Sequence, residues 1–272
     1  VHEGLIERFE AESADEWPRF MQETKALPVT ECLRRKPLKF MALGSVIALL
    51  ASHLLQESMK LLAYQWALGA LIGCYLADFT SGIAHMVFDY TEVGLSAPRD
   101  RSLAEFSAWG FQYHHANPSN WLETDILEVA IGRIGLVLWA PIAAVLLVDI
   151  ASLQDVCTLS PWLRVILHFM ATGLLMSEVT HAAAHGRWAS SGLVRLLQRS
   201  HIILPPQVHA QHHKTFDLNF CTVNGWANPA VNWVCHNLFF ALLPPAPHLT
   251  AKAQQMTFNS GHKQELGVAA PP

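Results

Sequence analysis

Long apolar runs, broken by short polar connections, organise this chain. Residues 40–56 (FMALGSVIALLASHLLQ) and 61–77 (LLAYQWALGALIGCYLA) contain no Asp, Glu, Lys or Arg. Residues 126–148 are apolar apart from Glu128 and Arg133 near their start, and residues 162–178 (WLRVILHFMATGLLMSE) carry charge only towards their ends. Each run is close to the roughly 20 residues that cross a hydrocarbon core of about 30 Å as a helix. The pattern predicts an all-α integral membrane protein of about four transmembrane helices, and the charge-free lengths weigh against a large soluble bundle. Residues 1–38 read as a polar surface segment, 39–245 as the membrane domain and 246–272 as a tail entered through the Pro-rich LLPPAPHL.

Composition agrees with the membrane class: hydrophobic residues make up 51% and charged residues 15% of the 272. A net charge of -4 gives no basic surplus for nucleic acid. The five cysteines have no CxxC spacing and read as free thiols. Nothing near Val1 resembles a signal peptide. Arg34, Arg35, Lys36 and Lys39 precede the first run and predict that it starts on the cytosol-like side. The acidic connection DIASLQDVCTLSP suits the opposite side, so four spans bring the chain back to where it started.

That topology sorts the histidines, which played no part in deriving it. His85 follows the second run, His114 and His115 lie in FQYHHANPSNW, His181 and His185 close the fourth run, and His209, His212 and His213 come after it. All eight fall on one predicted side, in an interfacial or cytosolic-side cap. On a helix, positions i, i+3 and i+4 share a face, so His181 and His185 can converge on one ion, and His209, His212 and His213 can form a second face. Pro205 and Pro206 suit a first helical turn and would start the helix carrying that second face. Eight imidazoles exceed the needs of one four-coordinate zinc and suffice for two metals with positions left open. Imidazole suits iron, zinc, copper and nickel alike, so ligand type does not choose the metal. His53, His168, His236 and His248 read as interfacial polar residues.

Carboxylates near these histidines are candidates for orienting them. Asp78 and Asp89 share a helix face with His85, and a carboxylate beside a ligand usually takes its second ring N–H. Asp89 is the preferred partner, and Glu178 stands similarly before His181. Glu123 and Asp125 are either orienting acids or helix-start charges. Asn224 and Asn228, in CTVNGWANP, read as turn residues.

With these residues assembled, the chain resembles the Kua-type lipid desaturase family, which includes animal plasmanylethanolamine desaturase and the plant plastid enzyme that makes a trans-3 double bond in phosphatidylglycerol. The resemblance runs from about residue 77 to 232, on ADFTSGIAHMVFD, FQYHHANP, THAAAHG, LLQRSHIILPPQVHAQHH and NFCTVNGWAN in this order. It implies a di-iron site held by the eight histidines, and use of dioxygen and two electrons to desaturate a phospholipid chain. HAAAHG and HAQHH look closer to the plant type. HIILP and FCTVNGWAN look closer to the animal type, which has a histidine like His201, so His201 joins the residues expected beside the ligands. The implied partners are the phospholipid and an electron donor such as cytochrome b5 or ferredoxin, in thylakoid or endoplasmic reticulum. Three other functions are weighed. A lipid hydroxylase would share every motif. A non-catalytic subunit of a larger membrane complex would have no evident reason to keep all eight histidines. A zinc hydrolase lacks HExxH.

Overall fold

The computed structural model describes residues 34–91, 102–116, 122, 139–153 and 159–242, and no strand occurs among them. The expected N-terminal segment up to 33, residues 126–138 of the third run, Glu123, Asp125 and the tail beyond 242 lie outside the described residues. Pro37 opens α1 (Pro37–Ser58) at its first turn, where a missing N–H costs nothing. The second run does not stop at 77. It continues as α2 (Ala63–Tyr90), 28 residues without a break, so His85 and Asp89 lie on the spanning helix itself. At 1.5 Å per residue this is about 42 Å, some 12 Å more than the hydrocarbon core. Next come α3 (Leu103–Ala116) and α4 (Trp139–Leu153), the latter carrying the described part of the third run. Ser160 caps α5 (Pro161–Ala184), its hydroxyl accepting from the Leu163 N–H at 3.3 Å. Three helices, Pro37–Glu57, Ala63–Tyr90 and Pro161–Ala184, are long and apolar enough to cross a membrane. Large apolar side chains such as Met41, Ile47, Leu68 and Leu71 point outward from them, as suits a hydrocarbon solvent.

The spine of the bundle is α2 against α5. Gly69, Gly73, Ala77 and Ser81 recur every fourth residue along the buried face of α2, a small-residue stripe that lets backbones approach. A Cβ on Gly73 would lie 2.4 Å from the Ile166 carbonyl oxygen, and one on Gly173 would lie 2.5 Å from the Ala77 Cβ. Trp162 Nε1 donates to the Gln65 carbonyl at 2.9 Å. These contacts climb both helices together, so α2 and α5 run parallel, as second and fourth spans should. Leu50, Ala77, Ile142, Val145, Leu174 and Val223 form a core joining α1, α2, α4 and α5.

Beyond α5 the chain folds over the shared end of these helices. Ser191 caps α6 (Gly192–Arg199). Pro206 starts α7 (Pro206–Thr215), as the proline pair predicts, and Phe216 ends it with φ 59°. An extended loop leads to α8 (Asn228–Val234), followed by a π-helical turn at Cys235–Phe239. Phe220, Cys221, Val231 and Cys235 pack against Met86 of α2 and close this cap.

Candidate metal centre

Four helices send imidazoles to one place. Two groups form, each with ligand-type atoms all within 4.8 Å of one another: His114, His181, His185, His209 and His213 in the first, and His85, Asp89, His115 and His212 in the second. Adjacent residues on a helix point about 100° apart and cannot serve one ion. The His114–His115 pair of α3 and the His212–His213 pair of α7 therefore divide, one member to each group. His209 keeps its i+4 neighbour His213, while its i+3 neighbour His212 goes to the second group, so the three do not form the single face expected of them.

In the first group the Nε2 atoms face each other. His209 Nε2 lies 2.8 Å from that of His181, 2.8 Å from that of His185 and 2.9 Å from that of His213. His114 Nε2 is 2.8 Å from His185 Nε2. A neutral imidazole has a single N–H, so these contacts cannot all be hydrogen bonds. Burial, and secondarily the neighbouring imidazoles, hold His209 and His213 well below the ordinary histidine pKa and bring His185 down to about 3. The rings are thus kept in the neutral form that binds metal.

In the second group the other ring nitrogen of His85 and of His212 is spoken for. His85 Nδ1 donates to the Phe220 carbonyl at 2.9 Å and His212 Nδ1 to the Leu218 carbonyl at 2.7 Å. Each bond fixes a tautomer that leaves Nε2 as a bare lone pair. Asp89 differs from expectation. Its oxygens do not back the rings at Nδ1 but meet the inward nitrogens: Oδ1 is 2.9 Å from His115 Nε2, and Oδ2 is 3.3 Å from His85 Nε2 and 3.4 Å from His212 Nε2. Asp89 is 2% exposed, and neither its Oδ2 nor His212 Nε2 has a hydrogen-bond partner. A buried anion facing bare lone pairs is costly unless a cation lies between them. The donor sets of both groups fit transition-metal ions.

The other expected orienting residues part company. Glu178 does stand behind His181, its Oε2 3.6 Å from Nδ1. Asp78 touches no ring of either group. Its Oδ1 accepts the N–H groups of Val223 (3.1 Å), Asn224 (2.9 Å) and Gly225 (3.2 Å), and its Oδ2 that of Ala227 (2.9 Å). It pins to α2 the loop whose carbonyls orient His85 and His212. Asn224 lies in the bend before α8, its side chain accepting from Trp226 N, whereas Asn228 is the first residue of α8 rather than a turn residue, its side chain accepting from Cys221 N. His201 belongs to neither group. It is exposed, at φ 54° in the turn after α6. The i,i+4 spacing of His85 and Asp89, the same as His181 and His185, was the sequence signal for Asp89 as a group member. His53 and His168 also meet a buried acid, Asp149, towards the far end of the bundle.

Fold and centre together define an α-helical membrane protein with paired, histidine-rich groups that could hold metal ions at one end of its bundle. Residues 74–243, more than half of the chain, match the lipid desaturase domain family. The chain belongs to that family, of the Kua type. No solved structure matches it.

Proposed function

We propose that this protein is a membrane-bound di-iron desaturase that introduces a double bond into an acyl or alkyl chain of a glycerophospholipid. The observation that carries the reading is the division of eight histidines and Asp89 into two adjoining groups within a chain of the lipid desaturase family. His114, His181, His185, His209 and His213 would hold one iron, and His85, His115, His212 and Asp89 the other. An unactivated C–H bond offers no handle to a side-chain acid or base, and two irons with dioxygen supply the oxidant that such chemistry requires. The balance is R–CH2–CH2–R′ + O2 + 2e⁻ + 2H⁺ → R–CH=CH–R′ + 2H2O, with electrons from a one-electron carrier of the cytochrome b5 or ferredoxin class.

The chain's own residues perform the rest. Phe220 and Leu218 carbonyls orient His85 and His212. Phe111 packs on His85 at 4.7 Å between ring centroids and Phe216 on His115 at 4.7 Å, excluding water from the second group. The phospholipid chain reaches the centre from the bilayer along the helices that carry it, while the headgroup stays at the boundary.

Lipidomics with metal analysis tests this reading. Cells carrying the protein should contain a phospholipid two mass units lighter than its precursor, and cells carrying His209→Ala should lack it. The purified protein should bind about two irons per chain. A product sixteen units heavier would make the protein a hydroxylase. Full activity in the His181→Ala, His185→Ala double variant would overturn the site assignment.

A further inference from the structure

We propose that His53, Asp149 and His168 form a third metal site, for a single zinc-class divalent cation, towards the end of the bundle opposite the paired groups. His53 lies five residues before the end of α1, Asp149 near the end of α4 and His168 two turns into α5. Their ligand-type atoms all lie within 4.8 Å of one another. His181 is 13 positions further along α5 than His168, which at 1.5 Å per residue is about 20 Å away. This is a separate site.

The tautomer of His168 carries the argument. Its Nδ1 lies 2.7 Å from the Arg164 carbonyl, which can only accept, so Nδ1 bears the hydrogen. Nε2 of the neutral ring is then a bare lone pair, 2.9 Å from Asp149 Oδ2. His53 Nδ1 approaches the same oxygen at 3.3 Å. Two imidazole nitrogens thus lie beside one carboxylate oxygen, the two rings stacked at 5.6 Å between centroids, with His168 and Asp149 only 1% and 4% exposed. A ring N–H given to a backbone carbonyl is the usual support of a metal-bound histidine, and it is the support that His85 and His212 have in the second group. Ligands about 2.0–2.2 Å from a tetrahedral zinc stand about 3.3–3.6 Å apart; the His53–Asp149 spacing of 3.3 Å fits this, and the His168–Asp149 spacing of 2.9 Å would widen on binding. The His2Asp set leaves a fourth position open. One turn after His53, buried Glu57 is already paired through Oε1 with Lys60 at 2.9 Å and Arg164 at 3.3 Å, so it is not counted among the ligands. Nitrogen and oxygen donors without sulfur suit zinc, and carboxylate with imidazole would not select copper(I).

The test is metal counting on the full chain, purified in detergent, loaded with iron, equilibrated with micromolar zinc sulfate and freed of excess. The parent should retain about one zinc per chain, with an absorption edge showing only nitrogen and oxygen neighbours. Asp149→Asn and His168→Gln should retain none while keeping the parent's iron. His53→Ala, at a partly exposed position, guards against misfolding and should bind zinc at least tenfold more weakly. His209→Ala should lose iron and keep the zinc, which separates this site from the proposed desaturase centre. A parent that holds no zinc would overturn the proposal, as would equal zinc in parent and variants. A zinc-free parent destabilised by Asp149→Asn would make the triad a buried imidazolium–carboxylate pair instead.

Discussion

Asp78 provides the sharpest test of how this fold supports its centre, because it touches none of the proposed ligands. Its carboxylate is fully buried and accepts four backbone N–H groups from the loop between Val223 and Ala227. In Asp78→Asn the amide oxygen can keep the three donors now on Oδ1. The amide NH2 then faces the Ala227 N–H, donor against donor. Bonds to a charged acceptor contribute about 1.5–3 kcal/mol and neutral ones about 0.5–1.5, so three bonds weaken and one is lost. Removing a buried charge offsets part of this, leaving a net destabilisation of about 2–4 kcal/mol. For about 3 kcal/mol the scaling for chains near this size gives a Tm lower by roughly 6–12 °C. The second consequence is specific. The loop presents the Phe220 and Leu218 carbonyls to His85 and His212, both members of the second group. Asp78→Asn should therefore lose metal from the second group first, taking the stoichiometry from about two towards about one. Thermal unfolding in detergent followed by tryptophan fluorescence reads the first effect and metal analysis the second. Parental Tm together with parental metal content would refute the reasoning.

Further outcomes follow from the same geometry. Asp89→Asn removes the only carboxylate from the second group and should weaken its metal binding at least tenfold while the first group stays loaded, as titration with ferrous iron would read. Gly73→Ala places a methyl 2.4 Å from the Ile166 carbonyl oxygen, so α2 and α5 must separate at a cost of about 1–3 kcal/mol; unchanged thermal stability would contradict this packing. In metal-free protein, His185 is held down to about 3 and His209 and His213 well below the ordinary value. The unfolded chain binds these protons near pH 6.5, so stability is full above that pH and falls as pH drops from about 6.5 towards 3. The loss is about 1 kcal/mol per histidine at pH 5.5. Stability that stayed flat from pH 7.5 to 5.5 in denaturant titrations would count against it. His201→Ala, at an exposed position outside both groups, should leave metal content unchanged.

What the sequence revealed and what it hid have physical reasons. Charge-free runs mark helices that meet lipid, so α1, α2 and α5 were legible. The end of α2 was not, because its last turns carry Asp78, Ser81, His85 and Asp89, which read as a connection although they are buried by the cap. Histidine spacing showed which residues share a face, yet it could not show the partner element of each face. His209, His212 and His213 looked like one surface, and only the approach of α5 to one group and α2 to the other divides them. Asp78 was expected beside a ring because it shares a face with His85. A seven-residue offset is two turns, however, and at that distance it meets the 223–227 loop. Asp149, His53 and His168 come from three helices, with no short motif between them, so no local pattern could have joined them.

The two-group arrangement is itself a consequence of helix geometry and close packing. A helix that must supply two ions can do so most compactly with adjacent residues, since a step of one position turns the side chain by about 100°. α3 and α7 do this with His114–His115 and His212–His213. A helix that serves one group twice uses positions about one turn apart, here i and i+4: His85 and Asp89 on α2, His181 and His185 at the end of α5, and His209 and His213 on α7. Helices α2 and α5 must then hold a fixed axial register, or one group closes and the other opens. The stripe Gly69, Gly73, Ala77 and Ser81 sets that register: with the Gly73 Cα against the Ile166 carbonyl and Gly173 against Ala77, a slide along α5 would drive side chains into backbone. Small residues about one to four turns from His85 thus support the proposed metal centre as much as the carbonyls that touch its rings. On this view substitutions along the stripe should disturb both groups together, whereas those at Asp78 or Asp89 disturb one.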